Sequence, residues 1–263
     1  MPPRQGLYIA AMATIYTPDD RLKRQFAEGK AVACHWLALG APVLAELAAD
    51  AGAQSVVFDL QHGRWSRDGL ENALAAVAGR APTLARTADA SDFAIGSALD
   101  AGLQGVIAPM ISSAAACAEV VAAARFPPHG RRSGGGARPM HNFAAYRQAT
   151  AEHLVVGVMI ETAEGVAAAD VIAATPGLDL IFIGPSDLSL ALGAAYGSAE
   201  FEAALATVLA AGKAAGVPVG VYTGSVAEAA SRAAQGFQFL VAASDTQLNR
   251  AGAKTIWDGW AKG

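Results

Sequence analysis

The stretch LVVGVMIETAEGVAAADVIAATPGLDLIFIGPSD, residues 154–187, sets two apolar runs on either side of an alanine-rich segment. Residues 155–160 and 180–183 read as buried strands, because short apolar, β-branched runs bounded by turn residues fit a sheet covered on both faces. Residues 165–174 read as the helix between them, which makes the stretch one strand-helix-strand unit of a parallel sheet. Both strands run into acids, Glu161 after the first and Asp187 in Gly184-Pro185-Ser186-Asp187 after the second. A strand interior rejects a free charge, since desolvating it costs several kcal/mol unless it is paired or binds a metal, so acids at these ends face a site.

The same alternation extends in both directions. Further strands are expected at 31–36, 55–59, 83–86, 105–109, 217–222 and 239–242, and further helices at 43–51, 67–78, 93–101, 114–125, 200–215, 226–235 and 246–261. Eight such units predict a single-domain α/β fold, the (β/α)8 TIM barrel, with its site at the carboxyl ends of the strands. The barrel is expected over 21–263, with 1–20 as an N-terminal extension. That topology gathers Trp36, Asp59, Gln61, His62, Arg86, Glu161, Ser186 and Asp187 on one rim. Two acids on neighbouring strand ends form a place for a hard divalent cation.

The bulk numbers narrow the partners. At 263 residues, 53% of them hydrophobic, the chain can fill a sizeable core. A formal net charge of −4 without a long Lys/Arg run leaves no electrostatic footprint for nucleic acid or an anionic membrane surface. Small molecules are the expected partners. The apolar stretch 6–16 is shorter than a membrane span and lacks a clear signal cleavage site, and Cys34 and Cys117 make neither a disulfide framework nor a zinc site. A reducing cytoplasm is the expected compartment.

Taken together, Val57-Phe58-Asp59-Leu60-Gln61-His62-Gly63, Ala85-Arg86, the run from Arg125 to Arg132, Ile160-Glu161-Thr162 and Ile183-Gly184-Pro185-Ser186-Asp187-Leu188-Ser189 resemble the HpcH/HpaI family of metal-dependent (class II) pyruvate aldolases. The motifs occur in order, and the resemblance runs from about residue 21 to the C-terminus. It implies a barrel of the phosphoenolpyruvate/pyruvate type and reversible cleavage of 4-hydroxy-2-oxoacids into pyruvate, or a related 2-oxoacid, and an aldehyde. It also implies a divalent metal, Mg²⁺, Mn²⁺ or Co²⁺, on Glu161 and Asp187. Hard oxygen ligands suit such ions, and two carboxylates leave positions open for water and a 2-oxoacid.

By the same resemblance Arg86 contacts the keto oxygen and His62 takes the aldol hydroxyl proton. Asp59 orients the His62 ring, and Asp100 reaches that ring from a neighbouring subunit. The main chain at Ser186 and Asp187 binds the pyruvate carboxylate, Trp36 forms an aromatic wall, and Tyr222 lies near the aldehyde. Other roles stay open: an ion pair with Asp59 or Glu161 for Arg86, barrel core for Trp36, a strand cap for Tyr222. The chain departs from the family at Gln61, where Glu is usual, and at Met159, where Gln is frequent. These changes point to altered substrate preference.

The segment 130–139 carries three arginines among glycines, which reads as a lid or subunit contact and only weakly as a nucleotide fingerprint. Trp257 and Trp260 fall on one face of the last helix. The resemblance implies that this helix is exchanged between subunits of a trimer or hexamer. Two competing readings are an acyl-CoA lyase of the citrate-lyase β-like branch, which usually has an acid where His62 stands, and a non-catalytic barrel that binds metal and 2-oxoacid.

Overall fold

The structure, a computed structural model, describes residues 16–261. Eight parallel strands close into a barrel in sequence order: β1 (Val32–Leu37), β2 (Ser55–Asp59), β3 (Thr83–Arg86), β4 (Gly105–Ala108), β5 (Val155–Ile160), β6 (Leu180–Ile183), β7 (Val219–Tyr222) and β8 (Phe239–Ser244). The fold is the expected (β/α)8 TIM barrel. Among the described residues no helix is long and apolar enough to cross a membrane.

Strand alternation builds two cores. Inward residues, among them Val32, Cys34, Trp36, Val57, Leu84, Met159, Phe182 and Phe239, fill the barrel. Their outward neighbours, such as Val56, Phe58, Val158 and Ile181, meet the helices. Size is balanced inside the barrel: Gly220 leaves the space into which Phe182 and Phe239 pack, and a side chain there would collide with both.

Several boundaries differ from expectation by a residue or two, as strand and helix ends commonly do. The helix expected at 165–174 is two short ones, Ala163–Ala167 and Ala169–Ala173, broken where Ala168 leaves helical geometry. Four helices were not expected, among them the single turn Ala137–Met140. Arg21–Ala27 caps the amino end of the barrel, with Leu22 and Phe26 inserted beneath Phe239. Phe143–His153 starts at an Asn142 cap, and Pro185–Leu192 starts at proline directly after β6. Residues 17–19 are tied to the barrel through hydrogen bonds from Gln104 to Thr17 and Asp19.

The arginines of 130–139 are engaged within the chain. Arg131 pairs with Asp92 and Glu119, and Arg138 donates to the Ala101 and Glu71 carbonyls and lies over Tyr16. Arg132 is buried between Phe126 and Tyr146 and pairs with Asp100. This segment is packed structure and not a free lid, because each guanidinium finds acceptors that composition cannot reveal.

Candidate active site

The inward parity that places Val57, Leu84 and Met159 in the barrel also places Asp59, Arg86 and Glu161, two residues further along each chain, at its mouth. Trp36, Asp59, His62, Arg86, Glu161, Ser186, Asp187 and Tyr222 line one cavity of about 270 Å³, together with Met159 and Phe182. Larger clefts of about 790 and 720 Å³ lie at the amino ends of β5 and β6 and between the helical layer and β1. Neither gathers the strand-end acids, so the chemistry belongs to the smaller one.

Register sets the first pair. Asp59 lies directly across from Arg86 on β2 and β3. The guanidinium is held bidentately, Nε to Oδ1 at 2.9 Å and Nη2 to Oδ2 at 2.6 Å, and sits 5.3 Å over the Trp36 ring. Burial pushes the Asp59 carboxyl up, but Arg86, the His62 amide and the Trp36 indole outweigh it and hold the group below the usual carboxylate range. Asp59 was expected to orient the His62 ring. It accepts the main-chain amides of Gln61 and His62 instead, and its oxygens otherwise serve Arg86 and the Trp36 indole at 3.3 Å. The ring of His62 is exposed at the cavity edge.

Register also sets the second pair. Ile160 is level with Ile183, so Glu161 stands beside Gly184. Glu161 is 1% exposed; Oε1 accepts the Met110 amide at 2.8 Å, whereas Oε2 is buried without a hydrogen-bond partner. A side chain at Gly184 would collide with that oxygen. Asp187 lies in the first turn of Pro185–Leu192. The amides of Ser186 and Asp187 fall among the four that a helix leaves unused at its start.

This donor set fits a hard divalent cation, with one orphaned carboxylate oxygen, a second carboxylate beside it and room kept by glycine. No group of three or more His, Cys, Asp or Glu suited to a metal occurs among the described residues, so a cation here would have at most two protein carboxylates and open positions.

Burial pushes Glu161 up to about 7, with Asp187's charge adding to the rise while the Met110 amide and Arg86 oppose it. The sign of its effect on stability follows. Between the unfolded value near 4.5 and the folded value near 7 the native state keeps a proton that the unfolded chain has lost, so stability falls as pH rises. Metal-free protein should lose stability through this window, by an amount on the order of 3 kcal/mol at most. Glu161→Gln should flatten that slope. Denaturant titrations at pH 5 and 8 check this, and equal slopes in the two proteins would place the proton elsewhere.

Asp100 lies outside the cavity and pairs with Arg132 at 2.9 Å in its own chain. Trp36 is both wall and core, buried and stacked on Phe182. Tyr222 meets Trp36 edge-on at 5.7 Å, and burial pushes its phenol up. Thr246, Ala38, Phe182 and Gly184 also line the cavity and were not anticipated. Thr246 follows β8, which runs to Ser244 and not to 242; a longer strand would have pointed to it.

A family model described as HpcH/HpaI aldolase/citrate lyase matches residues 33–251. A hydroxypyruvate/pyruvate aldolase of Pseudomonas aeruginosa is 35% identical over 184 residues, covering 67% of this chain and 68% of the relative. A 4-hydroxy-2-oxovalerate aldolase of Novosphingobium aromaticivorans is 34% identical over 181 residues, 67% of this chain and 69% of the relative. The crystal structure of an HpcH/HpaI aldolase/citrate lyase family protein from Burkholderia cenocepacia J2315 superposes with a TM-score of 0.85 at 31% identity, covering 91% of this chain and 99% of that one.

Proposed function

The chain belongs to the HpcH/HpaI aldolase/citrate lyase family and is a carbon-carbon lyase of its pyruvate aldolase kind, and from that premise we propose that it reversibly cleaves 4-hydroxy-2-oxoacids into pyruvate, or a related 2-oxoacid, and an aldehyde. The observation that carries this reading is the orphaned Glu161 oxygen beside Asp187, in the same cavity as an arginine locked by Asp59.

Glu161 and Asp187 would hold Mg²⁺, Mn²⁺ or Co²⁺. Bound there, the ion supplies positive charge against the keto oxygen as carbanion character develops at C3. The amides of Ser186 and Asp187 bind the substrate carboxylate. Arg86, with two of its nitrogens committed to Asp59, presents its remaining donors to the keto oxygen without reorganising. His62 takes the C4 hydroxyl proton in cleavage and returns it in condensation. A cavity of about 270 Å³ with a histidine at its edge supports a small aldehyde over an acyl-CoA. Free, buried Cys34 and Cys117 support a reducing cytoplasm. The test is cleavage of 4-hydroxy-2-oxovalerate with added Mn²⁺; no pyruvate released there or from longer homologues sinks the reading.

Tyr222 faces the aldehyde side in this account, its ring against Trp36. Its phenol narrows the pocket and offers one hydrogen bond, favouring short hydroxylated aldehydes. Tyr222→Leu should shift the kcat/KM ratio toward apolar aldehydes by about 1–3 kcal/mol with pyruvate affinity unchanged. An unaltered preference across an aldehyde panel removes Tyr222 from acceptor choice.

The last helix supports an assembly of copies. Asp245–Trp260 buries only Asp245 and leaves Ile256, Trp257 and Trp260 exposed at 64%, 67% and 82%. An apolar groove lined by Leu44, Leu47, Ala48, Ala242 and Leu248 lies at its root. Exposed indoles at the far end of this helix and an open apolar groove at its root support a helix exchanged between copies in a homo-oligomer, trimer or hexamer. Asp100 then serves a neighbouring His62 only within that assembly. Trp257→Ser with Trp260→Ser should lower the mass measured by analytical ultracentrifugation; an unchanged mass counts against exchange.

A further inference from the structure

Asp245 is a buried carboxylate without a Lys or Arg partner among the described residues, and the imidazole of His35 is a titratable group that feels its charge. The carboxylate is 2% exposed, and no Lys or Arg forms a salt bridge with it among the described residues. Such a carboxylate persists only where directed hydrogen bonds replace water. Here they come from the loop after β1. The Ala38 amide donates to Oδ1 at 3.1 Å and Oδ2 at 3.0 Å, and the Leu39 amide donates to Oδ2 at 2.8 Å. The carboxylate is also the first residue of a 16-residue helix, whose dipole favours it.

The clamped loop lies against the loop that carries His62. The Arg64 amide donates to the Ala38 carbonyl at 2.8 Å, and the Trp65 indole donates to the Leu37 carbonyl at 2.9 Å. The two backbones approach too closely for side chains. A Cβ at Gly40, where φ is +73°, would collide with the Arg64 carbonyl, and one at Gly63 would collide with the Asp59 carbonyl and lie 3.2 Å from that of Ala38. His62 therefore sits on a segment pinned at two points, by Asp59 at its own amide and by the 37–39 backbone at Arg64 and Trp65.

We propose that Asp245, which does not line the cavity, is a positioning residue for His62, holding it through the Ala38–Leu39 amides and the 64–65 backbone. The inference rests on the reading of His62 as the proton-transfer group. Its consequence is that the root of the last helix and the reactive rim share one anchor, and only the reaction step that uses His62 depends on it.

The test compares Asp245→Ala and Asp245→Asn, the second keeping one carbonyl acceptor, in the full chain with Mn²⁺. Aldol cleavage of 4-hydroxy-2-oxovalerate should fall at least tenfold in kcat for Asp245→Ala and less for Asp245→Asn, while pyruvate C3 hydrogen-deuterium exchange stays within twofold of wild type. On a His62→Ala background Asp245→Ala should cost less than twofold further in cleavage. Equal losses in cleavage and exchange, or a full additional loss on that background, overturn the proposal. A readout independent of turnover is the His62 imidazole signal in ¹H–¹³C spectra, assigned with His62→Ala. It should shift in Asp245→Asn while those of His129 and His153 stay in place, and an unmoved His62 signal overturns the proposal by itself. Wild-type protein inactive in cleavage counts against the aldolase reading, and the spectra then decide the positioning role alone.

Discussion

Glu161→Gln is expected to abolish cleavage and pyruvate C3 exchange alike, by more than about 10³-fold, because it removes the charged oxygen aimed at the cation while preserving shape. The wild-type Oε2 has no hydrogen-bond partner in the protein, which fits a ligand that the chain leaves room for. Asp187→Asn should act in the same direction. Metal binding supplies an independent check, since Mn²⁺ bound to wild type should be visible by electron paramagnetic resonance and weakened in both variants. Gly184→Ala, which drives a methyl group against that oxygen, should mimic the loss without changing any charge. Full activity in Glu161→Gln at low metal concentration would remove this residue from the metal site.

Arg86→Lys should lower kcat/KM by about 2.7–4 kcal/mol, the loss typical of one oxyanion donor. The substitution preserves charge, so a purely electrostatic role predicts little change. The geometry predicts otherwise. Two guanidinium nitrogens grip both Asp59 oxygens while the plane lies over Trp36, and an ammonium can satisfy one oxygen but cannot retain the fork. Asp59 would be left partly uncompensated in a buried position, so some of the loss should register as lowered thermal stability. A kinetic loss without that change would still support the role at the keto oxygen, whereas near wild-type kcat/KM would leave Arg86 a structural ion pair.

How the site could be read in advance follows from strand alternation. Glu161, Asp59 and Arg86 each end an apolar run, and the inward parity of those runs is written in the sequence. What could not be read was the pairing across strands. The parallel register that puts Arg86 opposite Asp59 makes them an ion pair, with Asp59 and not Glu161 as the partner. Asp59 thus works on Arg86 and on the main chain of the His62 loop, a division that the Asp-x-x-His spacing cannot reveal. The Met110 amide reaches Glu161 because Met110 adopts φ +60°, a conformation that its identity does not announce. The arginines of 130–139 misled by composition, since acceptors distant in sequence, Asp92, Asp100 and the Glu71 carbonyl, hold them down. Asp245 carries no signal in the sequence, because an acid at a helix start is ordinarily a surface feature.

Pyruvate C3 hydrogen-deuterium exchange followed by ¹H NMR tests metal-dependent enolisation most directly, since it isolates that step from the choice of aldehyde. Among the described residues no lysine lines the cavity, so exchange should vanish with chelator, return with Mg²⁺, Mn²⁺ or Co²⁺, and leave no borohydride-trapped adduct. Undiminished exchange in rigorously metal-free protein, or pyruvate trapped covalently on a lysine, would contradict that mechanism.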